Sequence, residues 1–270
     1  MRIEARNLDK HFRSVHAVKD LSFTVEPGRV TGFLGPNGSG KSTTMRLMLG
    51  LDSGGGETLY DGKKLSSHYP VTRTIGAHLD AKFFHPKRTA YAHLRMLGAE
   101  AGISKTRVHE VLKLVGLESV AKKRPGGFSL GMGQRLGLAG AILADPQVLM
   151  LDEPANGLDP QSIQWLRDFL KHYASTGKSV LVSSHLLSEM ELLADDVVVI
   201  ARGNLIAAES MPAFLSRATG SAVVVRSPQS EKLAELLSAQ GIASTTDGAR
   251  TIVIPGHSTD RIGEIAFANG

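Results

Sequence analysis

The chain has 270 residues, 42% of them hydrophobic, which suits a packed core in one large domain or in one domain with an appendage and excludes wholesale disorder. The absence of cysteine excludes disulfides and thiolate metal sites and fits a reducing compartment, and no apolar run reaches the ~18–20 residues that span a bilayer. A formal net charge of +5 indicates an ordinary solvated surface, and the first residues lack the apolar segment of a signal peptide.

The first predicted elements are two strands, residues 3–8 and 21–25, separated by a polar loop that contains Phe12 and His16. A turn at residues 26–28 follows, built on the Pro-Gly pair.

Residues 30–43 combine an apolar strand, a glycine-rich turn and the start of a helix. They fit G-x-x-x-x-G-K-[ST], in which backbone N–H groups form an anion nest, a lysine adds charge and a serine hydroxyl suits Mg²⁺. A glycine-rich turn that fits by accident is the alternative, and the strand before and helix after argue against it. The predicted nucleotide-binding residues are Gly35, Pro36, Asn37, Gly38, Ser39, Gly40, Lys41, Ser42 and Thr43.

A helical insertion is predicted over about residues 86–145. Strands at 57–60 and 74–79 precede it, and the pattern then becomes helical. Thr89 and Ser104 are predicted helix caps, and a third helix is expected from 131 to 143. This insertion is interpreted as a helical subdomain.

Strands and helices alternate again after the insertion, with strands at 148–151 and 179–183 around a helix at 160–173. A hairpin is predicted around Gly203. This alternation predicts a mainly parallel sheet that binds its ligand at the carboxyl edge. Residues 220–270 are expected to form a small α+β appendage, and we expect the natural chain to extend beyond it.

Polar residues follow two of these buried strands. Asp152 and Glu153 end the first, where the aspartate suits Mg²⁺ beside Ser42 and the glutamate suits a general base that activates water. His185 ends the next strand and can donate a hydrogen bond to a phosphate or to the attacking water. Together with Lys41, these residues predict phosphoryl transfer.

The motifs together resemble those of the nucleotide-binding subunit of an ABC transporter, over residues 1 to about 219. Residues 35–43, the P-loop, and the segment Val148-Leu-Met-Leu-Asp-Glu-Pro154 match this family closely. Gly157-Leu-Asp-Pro160 resembles the family's D-loop, and His185 resembles its switch histidine. Residues 128–135, Phe-Ser-Leu-Gly-Met-Gly-Gln-Arg, take the place of the signature L-S-G-G-Q. Ser129 and Gly131 match, whereas Leu130 and Met132 depart from it.

The resemblance implies a P-loop NTPase fold with a mainly parallel core sheet, an antiparallel β subdomain and a helical subdomain. It also implies ATP and Mg²⁺ as cofactors and a head-to-tail homodimer that closes two ATP molecules at its interface. Ser129 and Gly131 would contact the partner's γ-phosphate, Asp159 would act across the dimer, and Phe12 would stack on adenine. Asp80 stands where the family has its Q-loop glutamine, and we expect it to face the metal.

The divergent signature, Asp80 and the appendage resemble bacterial drug- or antibiotic-peptide-resistance exporters, in which ATPase and permease are separate chains. The resemblance therefore implies an ATPase at the cytoplasmic face of the membrane, bound to a permease and to no nucleic acid. One alternative is a soluble ABC-type ATPase that acts on ribosomes or DNA, although the tail has no dense basic run. Another is a P-loop binding module without turnover, against which Glu153 and His185 argue.

Overall fold

The computed structural model describes residues 1–80, 84–85, 87–218, 223–246, 250–254 and 259–269. The chain divides into two compact units, Met1–Met211 and Pro212–Gly270. The domain boundary predicted at residues 219 and 220 stays a prediction.

The first unit is an α/β structure. Its strands are β1 (Ile3–Phe12), β2 (Val15–Val25), β3 (Val30–Leu34), β4 (Gly55–Tyr60), β5 (Lys63–Lys64), β6 (Ile75–His78), β7 (Val148–Leu151), β8 (Ser179–Ser184), β9 (Asp196–Ala201) and β10 (Asn204–Ser210). Its helices are α1 (Lys41–Met48), α2 (Val71–Thr74), α3 (Ala90–Leu97), α4 (Lys105–Leu114), α5 (Leu130–Ile142), α6 (Pro160–Ser175) and α7 (Leu187–Leu193), and α8 (Met211–Ala218) begins at the division between the units.

A six-stranded sheet with the order β10-β9-β3-β8-β7-β6 forms the centre of this unit. All neighbours from β9 to β6 are parallel, and only the edge pair β10–β9 is antiparallel. Strands β3 and β7 are buried at every residue, because each is a continuous apolar run covered on both faces. The predicted mainly parallel sheet is therefore confirmed, and the carboxyl ends of β3, β6, β7 and β8 lie at one edge.

A second, antiparallel sheet has the order β2-β1-β4-β5. The prediction of a polar loop containing Phe12 and His16 was wrong. Strand β1 continues to Phe12 and β2 begins at Val15, so only Arg13 and Ser14 turn the chain. The polar residues at this end lie in a strand pair that remains solvent-exposed, so their polarity does not indicate a loop.

The insertion between β6 and β7 is helical, as predicted. Three side chains cap its helices: Thr89 Oγ1 accepts from the Ala92 N–H (3.1 Å), and Ser104 and Ser129 cap α4 and α5 in the same way. Helix α5 packs closely on β6, since a Cβ on Gly76 would stand 1.8 Å from the Ala141 carbonyl oxygen. Pro86, the predicted start of the insertion, lies outside the described residues.

The unit Pro212–Gly270 has its own core. It contains β11 (Val223–Arg226), β12 (Thr245–Thr246), β13 (Thr251–Ile254), α9 (Ser230–Ala239) and α10 (Thr259–Ala268), with the sheet order β11-β13-β12. The apolar faces of α9 and α10 bury Leu237 and Ile262 against Ile252 and Ile254. This arrangement agrees with the predicted α+β character. Within the described residues of the whole chain, no helix is both long and apolar enough to cross a bilayer.

Candidate functional site

The glycine-rich loop lies between β3 and α1, at the carboxyl edge of the six-stranded sheet. Gly38 and Gly40 have φ values of 77° and 108°, a left-handed region that disfavours any side chain. A Cβ on Gly35 would stand 2.3 Å from the Ile200 carbonyl oxygen, and one on Gly40 2.5 Å from that of Ala17. Helix α1 begins directly after Gly40, so the N–H groups of its first turn face the loop and favour an anion there.

Lys41 extends its side chain back into this loop. The Lys41 side chain is only 6% exposed. Its ammonium group donates a hydrogen bond to the Gly35 carbonyl oxygen at 2.6 Å. The same nitrogen lies 3.4 Å from the Pro36 carbonyl oxygen and 3.3 Å from Glu153 Oε1. The loop thus holds one buried positive charge, and a carboxylate from another strand is its ion-pair partner.

Asp152 connects the loop to two strands of the sheet. It follows β7, and its Oδ2 accepts a hydrogen bond of 2.5 Å from the hydroxyl of Ser42, the second residue of α1. Its Oδ1 accepts a short hydrogen bond from the Ser183 hydroxyl on β8. Residues that are distant in sequence are therefore brought together by the parallel order of β3, β8 and β7.

Glu153 occupies a strained backbone position. Its φ of 48° lies in the left-handed region, which costs a residue with a side chain about 1–3 kcal/mol. Its N–H group donates to the same Ser183 hydroxyl oxygen at 2.9 Å, which helps to hold this conformation. In this backbone conformation the carboxylate faces the glycine-rich loop, and its Oε1 lies 3.3 Å from Lys41 Nζ.

His185 contacts the other oxygen of this carboxylate. Its Nδ1 lies 2.9 Å from Glu153 Oε2, and the amide of Asn156 donates to that oxygen at 3.4 Å. The histidine is about one-third exposed, so its second ring nitrogen can reach a ligand at the sheet edge. Glu153 is thereby fixed between a cation and an imidazole, a geometry that suits a general base.

The donor atoms at this edge fit Mg²⁺. The converging groups are the Ser42 hydroxyl and the Asp152 carboxylate, both hard oxygen donors, and the anion nest lies beside them. Thiolate is absent from the chain, and the imidazole of His185 contacts Glu153. The arrangement can hold a phosphate chain with its hard cation and polarise a water molecule beside it.

Phe12, the predicted adenine contact, ends β1 and is about half exposed. The Lys10 ammonium lies 4.9 Å from its ring centre. Two backbone hydrogen bonds of 2.9 Å connect the β1–β2 hairpin, which carries Phe12, to the glycine-rich loop through Gly203. The Lys19 N–H donates to the Gly203 carbonyl oxygen, and the Gly203 N–H donates to the Ser39 carbonyl oxygen. The structure therefore places an exposed aromatic ring on an element that is tied to the phosphate loop.

The signature segment and the D-loop contact each other rather than this cluster in the described part of the chain. Ser129 caps α5, and Asp159 caps α6 by accepting from the Ser162 N–H (2.8 Å) and hydroxyl (3.0 Å). These hydrogen bonds, the one from the backbone first, hold the pKa of Asp159 below its ordinary value. The polar contacts of both predicted residues are thus local.

Close apolar packing joins the two segments. A Cβ on Gly157 would stand 2.2 Å from Leu130 Cδ2, and one on Gly131 would stand 3.3 Å from Leu158 Cδ2. Gly157 also has a left-handed φ of 75°. One departure from the signature, Leu130, and one match, Gly131, therefore pack on the D-loop: Leu130 lies against Gly157, and Leu158 lies against Gly131.

Asp80 follows β6 and is exposed, at the same sheet edge as Asp152. The Asp152 N–H donates to the His78 carbonyl oxygen at 2.8 Å, so the two strand ends are directly bonded. Burial lowers the pKa of His78, while its hydrogen bond to Gln134 Oε1 and the charges of Asp80 and Asp152 oppose this shift. Asp80 thus acts electrostatically on His78, and its role toward the metal stays a prediction.

The sequence alone did not identify Ser183, the His78–Gln134 pair or Gly137 as contributors to the site. Ser183 bonds both Asp152 and Glu153, and its position two residues before His185 at a strand end was the available signal. His78 Nε2 lies 2.7 Å from Gln134 Oε1, which joins β6 to the signature helix α5. A Cβ on Gly137 would stand 2.0 Å from His78 Cε1, so that glycine makes room for the ring. No local motif marks this pair, because its members are 56 residues apart.

Comparison with protein families matches residues 18–156 to the family described as ABC transporter. An AAA domain matches residues 123–191, and a domain of unknown function (DUF8746) matches residues 221–270.

Three relatives extend this comparison. The uncharacterized ABC transporter ATP-binding protein YhcH of Bacillus subtilis is 43% identical over 208 residues, 76% of this chain and 68% of the relative. The bacitracin transport ATP-binding protein BcrA of Bacillus licheniformis is 40% identical over 213 residues, again 76% and 68%. The lantibiotic transport ATP-binding protein SrtF of Streptococcus pyogenes is 35% identical over 205 residues, 76% of this chain and 89% of the relative.

Two solved structures share the fold. One, described as an ATP-binding subunit of an ABC transporter, is 23% identical with a TM-score of 0.71 and covers 98% of this chain and 100% of its own. The other is the dimeric structure of MJ0796, a bacterial ABC transporter cassette, which is 24% identical with a TM-score of 0.69 and covers 77% and 98%.

Proposed function

The chain belongs to the ABC transporter family and is an ABC-type ATPase, and on this basis we propose that it powers a separately encoded membrane permease that exports a drug or antibiotic peptide. The observation that carries the proposal is the convergence of Lys41, Ser42, Asp152, Glu153 and His185 at one edge of the parallel sheet. These five side chains supply the phosphate-binding cation, the Mg²⁺ ligands and the general base that one chain contributes to phosphoryl transfer from ATP.

Lys41 is the residue that exchanges partners when ATP binds. Its ammonium group leaves the Gly35 carbonyl and Glu153 for the β- and γ-phosphates, and the N–H groups of the glycine-rich loop bind the remaining phosphate oxygens. The exchange releases Glu153 Oε1 from its ion pair. ATP binding therefore prepares the base for its task.

Ser42 and Asp152 would hold the Mg²⁺ that accompanies ATP, and the charge of this ion would offset the negative charge of the phosphates. Glu153 accepts the proton of the attacking water, and the strained backbone at this residue keeps its carboxylate at the sheet edge. His185 orients Glu153 through Nδ1 and offers its other nitrogen to the γ-phosphate. Asp80 assists from the end of β6, so Asp80→Ala should lower Mg²⁺-dependent turnover; turnover equal to that of the parent would remove this role.

The second half of the active site comes from another copy. Ser129 and Gly131 contact the γ-phosphate held by the partner, and Asp159 communicates across the interface. The packing of Leu130 on Gly157 supports this proposal, because it fixes the signature segment and the D-loop on one surface of the chain. The solved cassette MJ0796 is dimeric, which supports a head-to-tail homodimer here.

Export is proposed from the names of two relatives, which are transport proteins for bacitracin and for a lantibiotic. We infer that this chain binds its permease at the cytoplasmic face of the membrane. Phe12 stacks on the adenine ring, and closure of the two copies on ATP moves the helical insertion that contacts the permease.

The test uses the variant Glu153→Gln, which keeps the size of the side chain and removes the base. Purified parent protein should release phosphate from Mg·ATP, and the variant should do so at least about 100-fold more slowly. The variant, immobilised with Mg·ATP and incubated with membranes of the source organism, should retain a protein with several membrane spans. Recovery of ribosomes or DNA in its place would overturn the transport proposal and leave the ATPase intact.

A further inference from the structure

Three potential metal ligands lie together at the end of the β1–β2 hairpin that also carries Phe12. His11 on β1 is paired directly with His16 on β2, and Asp9 is two residues before His11. The register of β1 against β2 is irregular between Leu8 and His11, and in this stretch the Asp9 side chain lies beside those of His11 and His16. The tight turn at Arg13, with a φ of 50°, fixes this pairing.

The donor atoms of the three side chains converge. His16 Nε2 lies 2.7 Å from Asp9 Oδ2, and His11 Nε2 lies 3.7 Å from Asp9 Oδ1. One donor atom from each residue lies within 4.8 Å of the others. The two imidazole rings stack with centres 3.7 Å apart and an interplanar angle of 23°.

The Asp9 carboxylate is held in place from the strand side. The Asp20 N–H donates to Asp9 Oδ2 at 3.3 Å, and Asp20 itself accepts from the Asn7 amide at 2.7 Å. His16 Nε2 approaches the same Asp9 oxygen, and His11 Nε2 lies near the other one. The carboxylate is therefore held beside both imidazoles.

A simple hydrogen bond between His16 and Asp9 explains the position of one imidazole and one carboxylate oxygen, but it does not explain the position of His11. The His11 ring stacks beside that of His16, yet its Nε2 lies beyond hydrogen-bond distance of Asp9 Oδ1. The His11 and Asp9 side chains are 59% and 34% exposed and that of His16 is 33% exposed, so an ion can enter without any rearrangement of the backbone.

We propose that Asp9, His11 and His16 form a binding site for a divalent transition-metal ion of the zinc, nickel and copper class. Two imidazoles and one carboxylate are the ligands that these ions prefer, whereas Mg²⁺ and Ca²⁺ prefer oxygen donors alone. The remaining coordination positions belong to water, because the hairpin surface is open. The site differs in ligand chemistry from the Ser42–Asp152 pair, which offers oxygen donors alone.

The experiment measures binding of Zn²⁺ and Ni²⁺ to the full, tag-free chain by calorimetry, with no nucleotide present. One ion should bind per chain, and excess Mg²⁺ should not displace it. His11→Ala is the cleanest variant, because His11 makes only the longer contact to Asp9, and it should weaken binding at least about tenfold. His16→Ala and Asp9→Asn should do the same.

His172→Ala is the matched control, because His172 is exposed on α6 and distant from the hairpin in sequence. Thermal unfolding without metal establishes that each variant is folded. Electron paramagnetic resonance of the Cu²⁺ form should show two coordinating nitrogens in the parent and one in His11→Ala. Equal affinity of His11→Ala and His172→Ala, or an unchanged copper spectrum, would overturn the proposal.

Discussion

The catalytic cluster and the signature segment differ in how they are held. Lys41, Ser42, Asp152, Glu153 and His185 are bonded to one another across three parallel strands, so their geometry is set by the core of this chain. Ser129 and Asp159 instead cap their own helices, and Leu130 packs on Gly157 at the surface. In the proposed function, one half of the site is therefore organised within a single chain, whereas the other half is a surface that a second copy would complete.

The largest effect is expected in the bonded half of the site, the cluster whose side chains contact one another within this chain. Lys41→Ala removes the buried cation of the loop, and we expect turnover to fall at least about 100-fold, because the charge that compensates the phosphates is lost. Phosphate release and the binding of a fluorescent ATP analogue measure the effect. Lys171→Ala, an exposed lysine on α6, is the control. Parent-like turnover in Lys41→Ala would mean that the loop does not bind the transferred phosphate.

The surface half is tested by Gly157→Ala. The new Cβ would collide with Leu130 at 2.2 Å, in addition to the left-handed backbone strain of about 1 kcal/mol. We expect turnover to fall about tenfold through displacement of the signature segment, while the monomer binds ATP as before.

Gly177→Ala provides the matched control for this variant. Gly177 has a φ of 87° and open space around its Cβ position, so its replacement introduces the backbone strain without the collision. An equal loss of turnover in the two variants would show that the Leu130–Gly157 contact has no part in catalysis.

The smallest effect is expected at His78, which joins the two halves through Gln134. Burial holds the pKa of His78 below its ordinary value, so the unfolded chain takes up the proton first as the pH falls. The stability that the neutral histidine contributes is therefore present above about pH 6.5 and is lost on acidification. In His78→Gln, thermal unfolding should depend less steeply on pH below this value.

His93 is also buried and its pKa is lowered in the same direction, so part of the pH dependence should remain in His78→Gln. His109→Gln, an exposed residue of α4, is the control and should leave the parent profile unchanged. A variant profile identical to that of the parent would show that His78 is not the group responsible.

The sequence predicted which residues meet at the sheet edge, and their roles in catalysis stay predictions. Residues 35–43, Asp152, Glu153 and His185 were identified from strand ends and a spaced glycine motif, because a parallel sheet brings the ends of its buried strands to one edge. The signature segment was located through its serine and glycines. In these regions the local sequence is sufficient, since each residue type is required by the chemistry at that position.

Other features depend on contacts between distant segments. The length of the β1–β2 hairpin was missed, because its polar residues lie on exposed strands and imitate a loop. The His78–Gln134 bridge and the fit of Leu130 to Gly157 depend on the position of α5 against β6 and the D-loop. The left-handed conformation of Glu153 gives no signal in the sequence either, because it is maintained by Ser183 from a neighbouring strand.

The central claim is that two incomplete sites become complete when ATP joins two copies of this chain. The direct measurement is the mass of Glu153→Gln by light scattering, with and without Mg·ATP, for the full chain and for residues 1–219. We predict a monomer without nucleotide and a dimer with Mg·ATP in both forms. A variant that remains monomeric with saturating Mg·ATP, while it binds the nucleotide, would contradict the account.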